Sequence, residues 1–274
     1  MDRLASLLQR FSVTARLFHS GPLCGVNDFS PQAGLGQLHL LRRGPLVIEH
    51  LRESPREVHE PSLLFYPRPL WHRFRTDADT GAKLACAHVA LGDPALSPLA
   101  QALPPFLCLP LRALDGSTAV LDLLFDEAFA QRCGRQVVVD HLFAVVLVQI
   151  LRHLMNTRAL DGGLLAGLGH PQLAQALVAV HGEPEAAWSL ERLAERAGMS
   201  RSVFAREFHR VLGQPPGDYL MAWRLLLAQQ ALQRGDSLKR IAAAVGYANE
   251  AALSRAFKAR HGLSPRAWLK AQQP

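Results

Sequence analysis

Two stretches decide the fold: SLERLAERAGMSRSVFAREFHRVLGQPPGDYL at residues 189–220 and SLKRIAAAVGYANEAALSRAFKARHGLSPRAWL at residues 237–269. Positions of the first stretch recur 48 residues later in the second. The early pairs are Ser189/Ser237, Leu190/Leu238, Leu193/Ile241, Ala194/Ala242 and Gly198/Gly246. After one inserted residue, the late pairs are Phe204/Leu253, Phe208/Phe257, Gly213/Gly262, Pro216/Pro265, Tyr219/Trp268 and Leu220/Leu269. A match this dense indicates that one structural unit occurs twice.

Each copy has the pattern of two helices joined by a tight turn. The serine that opens each copy is suited to cap a helix, and the later glycine allows a left-handed turn residue. Small side chains at Ala194 and Ala242 let a second helix cross closely. That second helix begins near Ser200 in one copy and near Asn249 in the other. The pattern predicts two helix-turn-helix units.

A single helix is predicted over Asp218–Arg234, between the two copies. Its apolar side carries Leu220, Trp223, Leu226, Leu227, Ala231 and Leu232. A rigid helix here fixes the separation of the two recognition helices. They then fit successive major grooves on one face of a duplex, about 34 Å apart.

The positive charge of the chain is confined to its carboxy-terminal third. Residues 189–274 contain 14 Lys+Arg and 6 Asp+Glu, which gives +8, whereas residues 1–188 contain 16 and 17, which gives −1. A basic domain joined to a neutral one favours a polyanionic partner on one side only. Charge alone leaves a merely solvated basic surface open. Together with the repeat, it predicts binding to double-stranded DNA.

The second helix of each unit presents the candidate DNA contacts on its outward face. These are Arg201, Ser202 and Arg206 in the first unit, and Asn249, Glu250, Ser254, Arg255 and Lys258 in the second. Residues 169–274 resemble the DNA-binding domain of the AraC/XylS family of bacterial regulators. The resemblance rests on LERLAERAGMSRSVFAREF, PPGDYLMAWRLLLAQQAL and IAAAVGYANEAALSRAFKARHGLSPRAW.

The resemblance implies which positions meet bases. They are Ser202, Ala205 and Arg206 in the first recognition helix, and Glu250, Ala251, Ser254 and Arg255 in the second. Ala205 and Ala251 can offer only apolar contact, as to a thymine methyl group. Arg206 and Arg255 are the expected guanine readers; the alternative is that they hold phosphate, which positions the protein without specifying sequence.

The amino-terminal half has a different pattern. Short apolar runs between Gly, Pro or charged turns fill residues 35–92: GQLHLL, PLVIEHL, SLLFYP and KLACAHVAL. This spacing predicts a small antiparallel barrel or sandwich. Residues 1–110 also resemble the cupin-type sensor of one branch of the same family, through LFHSGPLCG, LHLLRRGPL, LLFYPRPLWHRF and KLACAHVAL.

We therefore expect an α+β, multidomain chain. A cupin-like sensor and dimerisation domain covers residues 1–160, with a barrel over about 1–110 and helices over about 117–157. A glycine-rich linker follows, and an all-α domain with two helix-turn-helix units covers residues 169–274.

Four residues on or beside the predicted strands are candidate metal ligands. They are Cys24, His39, His72 and Cys86, with His88 in reserve. Two thiolates and two imidazoles suit tetrahedral zinc. Oxidant sensing by a thiol, a small organic effector and no ligand at all stay open as alternatives. The paired histidines and following glutamate of cupin enzymes are missing. A metal-dependent cupin enzyme with a DNA-binding tail is therefore only the runner-up hypothesis, and we predict a regulator that is not an enzyme.

The run Val137–Met155 predicts a largely apolar helix that must be buried, either in its own domain or against a second subunit. We predict a homodimer through this region. Its polar residues, among them Asp140 and Arg152, argue against a membrane span. The sequence predicts a cytoplasmic protein, with RNA polymerase as a partner if it activates. It does not identify the effector or the operator.

Overall fold

The computed structural model describes residues 1–93, 96–157 and 159–271. It divides into two compact units. The strand unit comprises residues 8–157, and the helical unit comprises residues 1–7 together with the described residues beyond 158.

In the residues described, the strand unit contains two antiparallel sheets. In chain order its strands are β1 Val13–Leu23, β2 Val26–Phe29, β3 Gly36–Arg43, β4 Leu46–Glu49, β5 Arg56–Val58, β6 Ser62–Tyr66, β7 His72–Arg75, β8 Ala82–Leu91 and β9 Leu107–Pro110. One sheet has the order β1-β8-β3-β6-β9, and the other has the order β2-β7-β4-β5. A continuous apolar core joins Leu41, Leu64 and Leu84 of the first sheet to Leu46 and Phe74 of the second. The two sheets therefore face each other, as the prediction of a cupin-like barrel requires.

Within the described residues, three helices belong to the strand unit: α2 Pro98–Ala102, α3 Thr118–Phe129 and α4 Arg135–Asn156. Helix α1, Ala5–Arg10, begins in the helical unit and ends in the strand unit. Helix α4 packs on β1 and on α3 through a face that includes Phe143, Leu147 and Ile150. It is the one helix in the described ranges that is long and apolar enough to cross a membrane. The core helix of a domain passes the same test, and Asp140 of α4 accepts a hydrogen bond from the backbone NH of Leu17. We therefore interpret α4 as a packing helix.

The helical unit contains eight helices within the described residues. They are α5 Leu164–Gly169, α6 Leu173–Gly182, α7 Leu190–Arg196, α8 Arg201–Leu212, α9 Pro216–Gln233, α10 Leu238–Ala244, α11 Glu250–His261 and α12 Pro265–Ala271. The expected glycine-rich linker was partly wrong, because α5 forms inside it and buries Leu165 and Leu168. The apolar side of α9 also differs by one position: Leu225 is buried and Leu226 is only half-buried.

The repeat predicted from sequence corresponds to α7–α8 and α10–α11. Ser189 and Ser237 each accept a hydrogen bond from the backbone NH three residues ahead, which caps α7 and α10. Gly198 and Gly246 follow with φ of +63° and +78°, a region that favours glycine. The second helix of each pair then buries Phe204 and Phe208, or Leu253 and Phe257. Each pair thus places its second helix with one face inward and the other outward.

Candidate DNA-binding interface and sensor site

Helices α8 and α11 expose the residues predicted to meet DNA. On α8, Arg201, Ser202 and Arg206 are exposed and Ala205 is half-buried. On α11, Asn249, Glu250, Ala251, Arg255 and Lys258 are exposed and Ser254 is half-buried. In each helix these positions lie opposite the buried aromatic or leucine face. The structure therefore places the predicted contacts on two outward surfaces, one for each helix-turn-helix unit.

Two of these residues already have partners within the protein. Arg201 donates to Glu191 at 2.6 Å, and this hydrogen bond lowers the pKa of Glu191 to about 2. Asn249 accepts from the backbone NH of Ala252 at 2.9 Å and caps α11. Asn249 therefore sets where α11 begins, and its amide NH₂ is the part left for DNA.

The remaining cations of the two faces have no such partner. Across the described part of the chain, no carboxylate forms an ion pair with Arg206, Arg255 or Lys258. An unpaired guanidinium on an outward helical face is the group that binds guanine or phosphate in a major groove.

The strand unit holds a second candidate site, built around two buried histidines. His39 on β3 and His72 on β7 come from different sheets and are both fully buried. Their Nε2 atoms lie 3.0 Å apart. Aromatic rings enclose the pair: Phe29 and Tyr66 stack on His72, and Phe74 lies against both imidazoles.

Hydrogen bonds assign the protons of the pair. Nδ1 of His72 lies 3.0 Å from the carbonyl oxygen of Leu70, so this nitrogen carries a hydrogen and donates it. Nε2 of His72 then accepts from Nε2 of His39. That leaves Nδ1 of His39 as a buried lone pair with no hydrogen-bond partner among the described residues. Moving the hydrogen of His39 from Nε2 to Nδ1 leaves both Nε2 atoms as acceptors, which is the form needed for both to bind one metal.

Burial keeps both imidazoles neutral near pH 7. It lowers the pKa of His72 to about 4. Burial, reinforced by the charge of a protonated His72, holds the pKa of His39 well below its ordinary value. A neutral imidazole is the form that binds a transition metal.

The two predicted cysteine ligands are placed very differently. Cys86 on β8 is the register partner of His39 on β3 and is fully buried, and burial raises the pKa of its thiol. Cys24 is exposed just beyond the end of β1, with its sulfur against Gly81. Over residues 1–93, 96–157 and 159–271, no three His, Cys, Asp or Glu side chains form a metal-binding cluster. The structure thus brings His39 and His72 together, with Cys86 nearby, and does not bring Cys24 to them.

The sequence did not predict the aromatic rings that pack around the histidines. Phe18 stacks on His88 at 4.3 Å between ring centroids and lies edge-on to His39. The strand pairing of β1 with β8 shifts register between Leu17 and His19, which surround Phe18. A bulge has no periodic signature in a single sequence, so nothing in the sequence pattern placed Phe18 beside the histidines.

Comparison with known proteins agrees with both halves of this description. A cupin family model matches residues 2–156, and a helix-turn-helix domain model matches residues 193–271. A putative AraC-like transcription regulator of Streptomyces lividans is 36% identical over 171 residues, 61% of this chain and 56% of that protein. The match thus spans little more than half of that relative's length.

Two further likenesses cover the whole chain and the helical unit. An uncharacterized HTH-type transcriptional regulator of Haemophilus influenzae is 29% identical over 296 residues, with 98% of each chain covered. The solved DNA-binding domain of AdpA in complex with a target DNA is 34% identical, covers 37% of this chain and 93% of that one, and has a TM-score of 0.35. The chain belongs to the AraC family of DNA-binding transcription regulators, in the branch that carries an amino-terminal cupin domain.

Proposed function

We propose that the regulator reads its operator through α8 and α11, with Arg206 and Arg255 as the principal base readers. The observation that supports this assignment is that both guanidinium groups are exposed and unpaired on outward helical faces among the described residues. Arg201 is tied to Glu191, so it binds a phosphate only by exchanging that partner. Footprinting on genomic binding sites, with wild-type and Arg206→Ala or Arg255→Ala protein, tests the assignment.

We also propose that the histidine pair of the cupin domain is the sensor site, with zinc as its ligand. Two nitrogens bound to one tetrahedral zinc at about 2.05 Å lie about 3.3 Å apart. The 3.0 Å between the two Nε2 atoms is close to that spacing. The carbonyl of Leu70 orients His72 as the outer partner of a metal-bound imidazole does. These features fit two nitrogen ligands, and Cys86 is the nearest predicted sulfur.

Cys24 can be a zinc ligand together with His39 and His72 only if the chain after β1 moves towards the histidines. Its exposure makes it the better candidate for the alternative hypothesis of thiol oxidation, because an oxidant reaches exposed sulfur first. Cys86 suits that role poorly, since burial disfavours its thiolate. Zinc analysis of the purified protein, beside its response to oxidant, separates the two hypotheses.

We propose that the protein is a homodimer that pairs through α4. The side of α4 turned away from β1 exposes Val137, Val138 and Val145, besides His141. Exposed valines at helical spacing form a stripe that a second copy of the helix can cover. Mass measurement in solution tests the pairing.

The relatives are named as transcription regulators, which favours a regulator without catalysis over a cupin enzyme with a DNA-binding tail. We assign the protein to the cytoplasm, where its DNA is, with RNA polymerase as partner if it activates. A turnover screen of the metal-loaded protein tests the enzyme alternative.

A further inference from the structure

The strand unit has a groove on its outside that none of the functions above uses. It lies between the adjoining ends of β3 and β8 and the carboxyl end of α3, with a volume of about 650 Å³. Arg42, Arg43, Lys83, Asp126, Phe129 and Arg132 line it. We call it the basic groove. All of these residues belong to the strand unit.

The basic groove concentrates positive charge in a unit that is nearly neutral. Its lining has four cations and one carboxylate, a net charge of +3. Residues 8–157 as a whole contain 14 Lys+Arg and 13 Asp+Glu, a net charge of +1. The positive charge is therefore local, and it lies on a different unit from the basic recognition helices.

Two of these cations are held together by the sheet itself. Arg43 and Lys83 are directly opposite in the register of β3 and β8, just after an irregularity at Leu41. Opposed residues of neighbouring strands project from the same face, and like charges in that arrangement repel. Among the described residues, neither one forms an ion pair with a carboxylate.

The other two cations are already neutralised. Arg42 lies 3.3 Å from Asp126, and Arg132 lies 2.7 Å from Glu127. The uncompensated charge is thus at Arg43 and Lys83, where one anion can contact both.

The floor beside this pair is aromatic. Phe125 and Phe129 stack with ring centroids 5.8 Å apart and planes 9° from parallel. The ammonium of Lys83 lies 4.2 Å above the Phe129 ring, and the guanidinium of Arg42 lies 5.1 Å above that of Phe125. Phe125 is buried and Phe129 is half-buried, so the open apolar surface is the part of the Phe129 ring that the Lys83 ammonium does not cover.

We propose that the basic groove binds a small organic anion: a carboxylate carried on an apolar, ring-bearing body. The carboxylate lies between Arg43 and Lys83 and relieves their repulsion, while the apolar body covers Phe129. The volume is that of a small-molecule pocket. The site is separate from the histidine pair, so it gives the regulator a second input.

Calorimetric titration of the full-length protein with 4-phenylbutyrate, without DNA, is the test. We expect saturable binding of one molecule per chain. Binding should weaken about tenfold in Arg43→Gln and in Lys83→Gln, because each loses one charge-assisted contact. Both side chains are exposed, so the variants should fold. Arg52→Gln, which removes an exposed cation outside the groove, is the matched control and should bind as wild type does.

Two analogues and a peptide complete the experiment. 4-Phenylbutanol has the same body without the charge and should not bind, and inorganic phosphate should bind at least about tenfold more weakly than 4-phenylbutyrate. Unchanged affinity in the Arg43→Gln, Lys83→Gln double variant, or equal affinity for phosphate, overturns the proposal. So does tight, lysine-dependent binding of an acidic hexapeptide in place of 4-phenylbutyrate, which would make the groove a protein-docking surface. Because no DNA is present, none of these results depends on the operator or on the histidine site.

Discussion

His39 and His72 lie on strands of opposite sheets, and their Nε2 atoms meet at 3.0 Å in the interior of the cupin domain. Neither residue has a charged partner there, and both imidazoles are neutral because burial lowers their pKa. Burying the unsatisfied Nδ1 of His39 costs stability, and a ligand that binds the folded pair offsets that cost.

Protein purified from zinc-supplemented medium should contain close to one zinc per chain. His39→Gln or His72→Gln should lose the metal, because each removes one of the two proposed nitrogen ligands. His59→Gln is the matched control, since His59 is exposed and pairs with Glu57. Elemental analysis after dialysis measures the content. Folded, metal-free wild-type protein with an unchanged effector response would contradict the zinc hypothesis.

The zinc content of cysteine variants tests which cysteines belong to the metal site. Cys86→Ser should reduce the zinc content, because Cys86 is the register partner of His39. Loss of zinc in Cys24→Ser would show that the chain after β1 closes over the site in the metal-bound protein. Zinc retained in Cys24→Ser would remove Cys24 from the predicted ligand set.

Metal-free protein should lose stability as the pH falls below about 6.5. His72 takes up a proton near pH 6.5 when unfolded but only near its lowered pKa of about 4 when folded. The unfolded state therefore binds more protons between these values, and stability falls with pH through that window. His72 alone accounts for about 3 kcal/mol by pH 4.

Urea unfolding of the metal-free protein at a series of pH values measures this dependence. In His72→Gln the fall should be shallower, whereas His59→Gln should follow the wild type. A wild-type stability that stays level from pH 7 to pH 4.5 would refute the buried, neutral state of the pair.

The sequence predicted the elements whose structure depends on residues close together in the chain, and it missed elements that depend on distant residues. The duplicated serine, glycine and inward apolar positions predict both helix-turn-helix units, because helix caps, turns and buried helix faces depend on residues close together in the sequence. Strand β1 was missed: its apolar and polar residues do not alternate cleanly, and a bulge at Phe18 interrupts the period. Strand β9 lies beyond the predicted strands of residues 35–92, and it pairs with the distant β6.

The DNA-binding residues were predictable from local sequence, whereas the composition of the histidine site was not. Exposure of Arg206 and Arg255 follows from helical period alone. The meeting of His39 and His72 depends on how two sheets face each other, and the sequence could offer only residue types suited to metal. Cys24 was grouped with them on that basis. Its exposed position beyond β1 depends on the tertiary structure, which the residue type alone does not predict.

Replacing Arg255 by alanine should weaken binding to a specific operator by about 1–3 kcal/mol if the guanidinium reads a guanine. Arg260→Ala is the control, because Arg260 lies on the same helix about 140° further round. Both are measured by titration of full-length protein onto operator and random DNA at fixed salt. An equal loss on both DNAs for Arg255→Ala would show that it holds phosphate only.

The chain should sediment as a dimer of twice 30.1 kDa at micromolar concentration. Val145→Glu should shift it to monomer, because a charge then lies in the middle of the exposed apolar stripe of α4. Leu51→Glu is the control, since Leu51 is an exposed apolar residue in the turn after β4 and does not belong to α4. A wild-type monomer by analytical ultracentrifugation, with or without DNA, would exclude pairing through α4.

The two turn glycines of the repeat should respond differently to the same substitution. Both have positive φ, so alanine strains the backbone at either position by roughly 1–2 kcal/mol. At Gly198 an added methyl group meets no atom of the described residues within 4 Å, whereas at Gly246 it meets the backbone of Glu185 at 2.8 Å. Arg224 fixes that neighbouring loop, because it donates to the carbonyl oxygens of Pro184 and Ala186 at 2.8 Å each. The loop cannot retreat without breaking these bonds.

Gly246→Ala should therefore destabilise the helical unit by more than Gly198→Ala does, by at least about 1 kcal/mol. The comparison is internal, since both variants carry the same strain at equivalent positions of one repeated unit. Denaturant unfolding followed by helical circular dichroism gives the two free energies. Operator affinity should fall further for Gly246→Ala, because the displaced turn carries Asn249 and the start of α11. Equal destabilisation in the two variants would mean that the Glu185 backbone moves aside freely, and that Arg224 does not hold the loop of residues 184–186 in place.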